Sequence, residues 1–244
     1  MKRIIITSLL AVGSGLLFAA GKRRSTPGNA APQSVSPAKP LSREEILQRY
    51  MLRAVVPAWI GAGLSDYLWH RRTSIETTAG TSESFMHLVM LAEGAPIVLG
   101  ASLLEINAGV LALMMTLFFA HEATAMFDVG FTAPRRVIYP GEQHTHSFLE
   151  VLPFACVAML IALYWEQFRA LFGLGTDEPR FGIRVRQPHV SAKTVTAVMS
   201  AVTIFDVLPH MEELWRCWQA TRRGVSGRDT PSCAPELYGT KFVA

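Results

Sequence analysis

Four of the seven histidines follow a carboxylate by four residues: His70 after Asp66, His87 after Glu83, His146 after Glu142 and His210 after Asp206. Side chains four apart share one face of a helix. With 19 acids in 244 residues, chance would place about 0.5 such pairs beside seven histidines, so the pattern asks for a physical cause. Glu150 also lies four residues after His146, and Asp128 seven after His121. Imidazole nitrogen and carboxylate oxygen are the ligands of non-haem iron, manganese and zinc, and helical bundles build dinuclear sites from them. A carboxylate that does not touch the metal can instead hold the other ring nitrogen of a ligating histidine. On this chemistry His70, His87, His121, His146 and Glu150 are expected as direct ligands. Asp66, Glu93, Asp128, His144, Asp206 and His210 are expected as ligands or as the partners that hold them. Glu93 is a separate signal. It lies six residues beyond His87 in an apolar run, where an ionised group costs a few kcal/mol unless paired or wetted. It is expected to face the bundle interior and, with Glu150, to be a catalytic carboxylate.

The elements that must position these groups are membrane helices. Half of the residues are hydrophobic, only 17% are charged, and the mean hydropathy is +0.27, which sets the chain apart from a water-soluble domain of this size. The apolar runs exclude a disordered chain, and three scattered cysteines (Cys156, Cys217, Cys233) exclude a disulfide framework. The net charge of +4 comes from short arginine clusters beside apolar runs, a mark of membrane topology and not of nucleic-acid binding. Residues 1–24 read as a secretory signal or, better, an uncleaved anchor, and the Pro/Ser/Ala-rich residues 25–41 as a linker. Ser42 and Glu45 form a capping box opening a short amphipathic helix into a membrane domain at 42–218, followed by a polar tail at 219–244. Five apolar segments follow at about 54–70, 85–103, 106–122, 147–167 and 194–211. Backbone groups in lipid must be satisfied within a segment, so the expected fold is an all-α integral membrane bundle of about five core helices. Gly94, Pro96, Gly100, Glu105 and Asn107 place a tight hairpin between the second and third.

Antiparallel threading of those segments puts six histidines on one membrane face and leaves His189 in a loop on the other. If Lys2 and Arg3 stay cytoplasmic, the histidine face is cytoplasmic too. The pairs Arg71-Arg72 and Arg135-Arg136 flank it, and are read as orienting the helices in preference to contacting a phosphate.

The block Asp66-Tyr-Leu-Trp-His-Arg-Arg-Thr73, the stretch from His87 to Glu93, His121-Glu122, and Glu142-Gln-His-Thr-His-Ser-Phe-Leu-Glu150 resemble a group of bacterial multi-pass membrane proteins of uncharacterised activity. The resemblance covers roughly residues 54–165 and implies a bacterial inner-membrane location. In site style the pattern is loosely similar to the integral-membrane fatty acid hydroxylases and desaturases, whose histidine-rich cytosolic face holds two irons. Their HxxHH boxes are absent; His144-x-His146 comes nearest. The resulting expectation is a membrane-embedded metalloprotein: a non-haem oxidoreductase with two irons, acting on a lipid or other hydrophobic substrate and drawing on an electron-donor protein. A zinc hydrolase would use similar ligands. The alternatives are a proton or ion transporter with a relay of Glu93, Glu150 and histidines, and a non-catalytic membrane scaffold.

Overall fold

A computed structural model describes residues 40–187 and 189–229. The expected anchor, nearly all of the linker, and the end of the tail with Cys233 lie outside the described residues. Those described are helical: α1 (Arg43–Tyr50), α2 (Val56–Thr73), α3 (Thr81–Leu103), α4 (Ala108–Thr132), α5 (Pro140–Leu163), α6 (Trp165–Ala170), α7 (Ala192–Val202) and α8 (Leu208–Arg222). Among the described residues there is no strand, only an isolated antiparallel bridge between Leu104 and Val185.

The local causes are legible. The Ser42 hydroxyl accepts from the Glu45 amide at 3.2 Å while the Glu45 carboxylate accepts from the Ser42 amide at 2.8 Å, the reciprocal capping box that starts α1. Single π turns, Met51–Val55 and Thr203–Val207, join α1 to α2 and α7 to α8. Both run up to a proline, Pro57 and Pro209, whose ring would crowd the carbonyl four residues earlier in a regular helix. A widened turn relieves that crowding, so residues 43–73 and 192–222 each run on as one long helix. Asn107 caps α4 by accepting from the Val110 amide at 3.0 Å, which makes residues 104–107 the expected hairpin. The hairpin is pinned by buried Arg186, which donates to the Leu104 and Glu44 carbonyls. Burial without a carboxylate in contact holds the Arg186 pKa below the usual arginine value.

Among the described residues four helices are long and apolar enough to cross a membrane: α3, α4, α5 and the continuous Ala192–Arg222 helix. Only 28% of the most apolar window of α4 and 22% of that of α5 is buried within the protein, so their outward faces, with Phe119, Phe127 and Phe154, require lipid. Segment α2 is also a core helix but carries Asp66, His70, Arg71 and Arg72, and it is not among the four.

The helices overrun the apolar segments that announce them. Helix α4 continues ten residues past 122, α5 starts seven before 147, and α8 runs to Arg222, through the first residues assigned to the polar tail. Hydropathy stops where polar residues begin, whereas the helix continues because those polar residues face one another across the bundle. The interior is therefore divided. An apolar core of Met51, Val55, Ile97, Val98, Leu111, Met114, Val157 and Leu160 fills the half near the 104–107 hairpin, and polar groups fill the half near residues 74–80 and 133–139. Helices α2 and α5 meet at Gly141, where an added Cβ would lie 2.3 Å from the Trp69 ring. Gly141→Ala is expected to cost about 1–3 kcal/mol by overpacking at the rigid start of α5. Thermal unfolding in detergent measures it, and an unshifted midpoint would show that Trp69 gives way freely.

Candidate metal centre

Five helices converge in the polar half. Asp66 and His70 come from α2, Glu83 and His87 from α3, Asp128 from α4, Glu142 and His146 from α5, and Glu213 from α8. All are buried except His146, whose side chain is 15% exposed. The four-residue spacings act as expected, stacking an acid and a histidine on one inward face of α2, α3 and α5. Helix α8 is held in rotation by Glu212, which faces outward to accept from Tyr67 at 2.9 Å and Arg71 at 2.8 Å, so that neighbouring Glu213 points in.

Glu213 organises the cluster. Its Oε2 lies 3.0 Å from His70 Nδ1 and its Oε1 3.3 Å from His87 Nδ1, and the two imidazoles stack at 4.4 Å between centroids with planes 10° apart. A carboxylate only accepts, so both Nδ1 atoms carry hydrogen and each ring turns its Nε2 away from Glu213, where a neutral ring would present a lone pair. Those Nε2 atoms face other acceptors. His70 Nε2 is 3.3 Å from Glu142 Oε1 and 3.6 Å from Asp66 Oδ1, and His87 Nε2 is 3.6 Å from Asp128 Oδ2. His146 Nε2 approaches the same Asp66 oxygen to 2.8 Å. Among the described residues His70 Nε2, His87 Nε2 and Glu142 Oε2 are buried with no hydrogen-bond partner, whereas Asp66 Oδ1 faces His146 Nε2 and Glu142 Oε1 faces Arg136 Nη2.

Lone pairs facing one another in a dry interior repel unless a cation lies between them. Protons on the two Nε2 atoms are the competing answer, and they would set two positive charges face to face in the stack. Metal ions fit the donor chemistry. Two ligand atoms each about 2.1 Å from one ion lie about 3.0 Å apart at a right angle and about 3.4 Å apart at the tetrahedral angle. Among the described residues three groups have ligand atoms mutually within 4.8 Å: Asp66, His70 and His146; His70, His87 and Glu213; and Glu83, His87 and Asp128. Charge counting agrees. Asp66, Glu83, Asp128, Glu142, Asp206 and Glu213 are six buried carboxylates, whereas Arg136 is the one buried arginine in this half among the described residues.

The cluster forms one wall of a cavity of about 70 Å³, lined also by Trp59, Gly63, Met90, Leu91, His121, Val129, Leu149, Glu150, Asp206 and His210. His121 Nδ1 donates to the Met90 carbonyl at 3.3 Å and His210 Nδ1 to the Asp206 carbonyl at 2.8 Å, leaving both Nε2 atoms without a protein partner among the described residues. Asp206 sits in the π turn with both oxygens unpartnered. It fits against α2 because residue 63 is glycine; a Cβ there would lie 2.3 Å from Asp206 Oδ1.

Other expected site residues stand apart. Glu93 is absent from the cavity lining and accepts from Thr124 Oγ1 at 3.1 Å. Six residues from His87 is about 240° of helix rotation, so the two cannot share a face. His144 is exposed and edge-on to Phe148 at 5.2 Å. His189, in the loop before α7, contacts Gln187. Conversely, Glu213 has no histidine four residues after it, and its only sequence signal is the three-residue spacing after His210. Glu83 and Glu142 were visible as pair members but were not placed among the ligands. Arg136 corrects the expectation of a merely orienting arginine, for it is buried between Glu83 and Glu142. Burial works against its charge, but the two carboxylates override this and hold its pKa above the arginine range. Its neighbour Arg135 lies over the Phe131 ring, 3.7 Å from the centroid. Compared with known proteins, the chain matches no family model, no curated protein and no solved structure.

Proposed function

We propose that the protein is a membrane-embedded metalloprotein holding two transition-metal ions side by side. Asp66, His70, Glu142 and His146 would hold one, and Glu83, His87 and Asp128 the other, with Glu213 fixing the tautomer and orientation of His70 and His87. The observation that carries this reading is the convergence of buried donor atoms: two Nε2 atoms without a hydrogen-bond partner among the described residues, both held through Nδ1 by one carboxylate, face oxygens of Glu142, Asp66 and Asp128. Non-haem iron in this nitrogen and oxygen donor set would supply oxidation chemistry, and zinc would supply a bound water of lowered pKa. The excess of carboxylate over histidine and the adjacency of two positions favour iron.

The residues beside the cluster suit a hydrophobic substrate. Trp59, Met90, Leu91 and Leu149 give the cavity apolar walls, and Glu150, His121 and His210 give it polar groups to orient a reacting atom or carry a proton. The activity read from this is oxidation of a lipid or other membrane-dissolved molecule in the bacterial inner membrane. The helix ends nearest the cluster would face the cytoplasm and an electron-donor protein. Metal analysis of the full chain purified in detergent tests the proposal. About two iron ions per chain is the expected result, with no haem band in the visible spectrum. Metal-free protein that stays empty after incubation with Fe²⁺ and with Zn²⁺ would sink it.

A further inference from the structure

The geometry points to Arg136 as the residue through which metal is admitted to the centre; this rests on the metal-centre reading. Its guanidinium occupies the oxygens that the ions would need. Arg136 Nε lies 2.9 Å and 3.1 Å from the two Glu83 oxygens, and Nη2 is 2.5 Å from Glu142 Oε1, the atom that faces His70 Nε2. One fork thus holds a carboxylate from each proposed metal position, Glu142 from the first and Glu83 from the second. A planar cation bonded to the ligand oxygens competes with a metal for the same lone pairs.

Its place in the fold supplies the second argument. Arg136 sits in the connection between α4 and α5, and it lines a pocket at the end of the bundle bounded by Trp69, Thr73, Thr77, Tyr139 and Asp229. On its other side are Glu83 and Glu142, so the side chain lies between that pocket and two carboxylates of the cluster. An ion arriving from the water at this end meets the pocket, then the guanidinium, then the ligands. Loading requires the fork to release Glu142 and one oxygen of Glu83, and the departing arginine carries away the positive charge that the ion replaces. A purely supporting arginine would act with the opposite sign, holding the carboxylates for the metal and raising affinity.

The test uses the full chain in detergent, stripped with a chelator and mixed with Co²⁺, whose visible ligand-field bands report binding. Arg136→Gln is expected to take up Co²⁺ at least about tenfold faster than wild type, the equivalent of one charge-assisted hydrogen bond removed from the barrier, with affinity equal or higher. Arg136→Lys keeps the compensating charge, and therefore the fold, but not the fork, and should show an intermediate rate. Unchanged or slower uptake in folded Arg136→Lys, or weakened affinity in Arg136→Gln, overturns the entry role while leaving the metal centre standing. Failure of the wild-type chain to bind any Co²⁺ removes the metal-centre reading itself.

Discussion

A chain carrying alanine at both His87 and His146 is expected to leave the membrane folded but nearly free of metal. The two substitutions remove one imidazole from each proposed position. His146 belongs to the group of Asp66 and His70, and His87 to the group of Glu83 and Asp128. The second position is left with the carboxylates of Glu83 and Asp128 and no nitrogen, and the first with Asp66, Glu142 and the single imidazole of His70; such depleted sets hold late transition metals far less well than the full nitrogen and oxygen sets. The single variants separate the positions: each should lose about half of the bound metal, because the groups draw their carboxylates from different helices. His144→Ala is the control, since that ring is exposed against Phe148, and its metal content should match wild type. Elemental analysis of purified protein, with circular dichroism to verify helicity, measures all four chains. Full metal retention in the double variant would show that the ions, if present, sit elsewhere.

Replacing Glu213 by glutamine should lower metal affinity by about 10- to 100-fold even though Glu213 need not touch an ion. The side chain keeps its length but loses one of two acceptors. In the native cluster each oxygen accepts from one Nδ1, at 3.0 Å from His70 and 3.3 Å from His87. An amide offers one oxygen and one NH₂, so one histidine keeps its partner and the other meets a donor with a donor. That ring must flip or turn, and its Nε2 no longer aims at the carboxylates opposite. The loss should therefore be uneven, one ion retained and one weakened, which chelator competition resolves as two affinities. Equal binding by both chains would remove Glu213 as the orienting group, and an equal loss at both positions would contradict the tautomer argument.

Much of the architecture was written locally. The Ser42–Glu45 capping box, the Asn107 cap and the apolar lengths of α3, α4 and α5 each depend on residues within a few positions, so pattern alone yielded an all-helical membrane bundle and its hairpin. The pairing of acids and histidines at four-residue spacing was equally local, and it named six of the residues that meet: Asp66, His70, Glu83, His87, Glu142 and His146. Helix geometry by itself separates two other expected residues from that face. His144 and His146 are two residues apart, about 200° around a helix, and cannot both face inward. Glu93 is similarly turned away from the face of His87.

What the tertiary structure alone decided is which faces meet and at what depth. Arg136 could have been a surface anchor by every local criterion, and its burial arises only because the connection between α4 and α5 folds back between Glu83 and Glu142. Glu212 and Glu213 are neighbours of one type, and their division into an outer partner of Arg71 and an inner partner of two histidines follows from the rotation of α8 against α2 and α3. Spacing along a chain fixes angles about one helix axis, but a binding site is a distance between axes, and that is set by how all the helices pack at once.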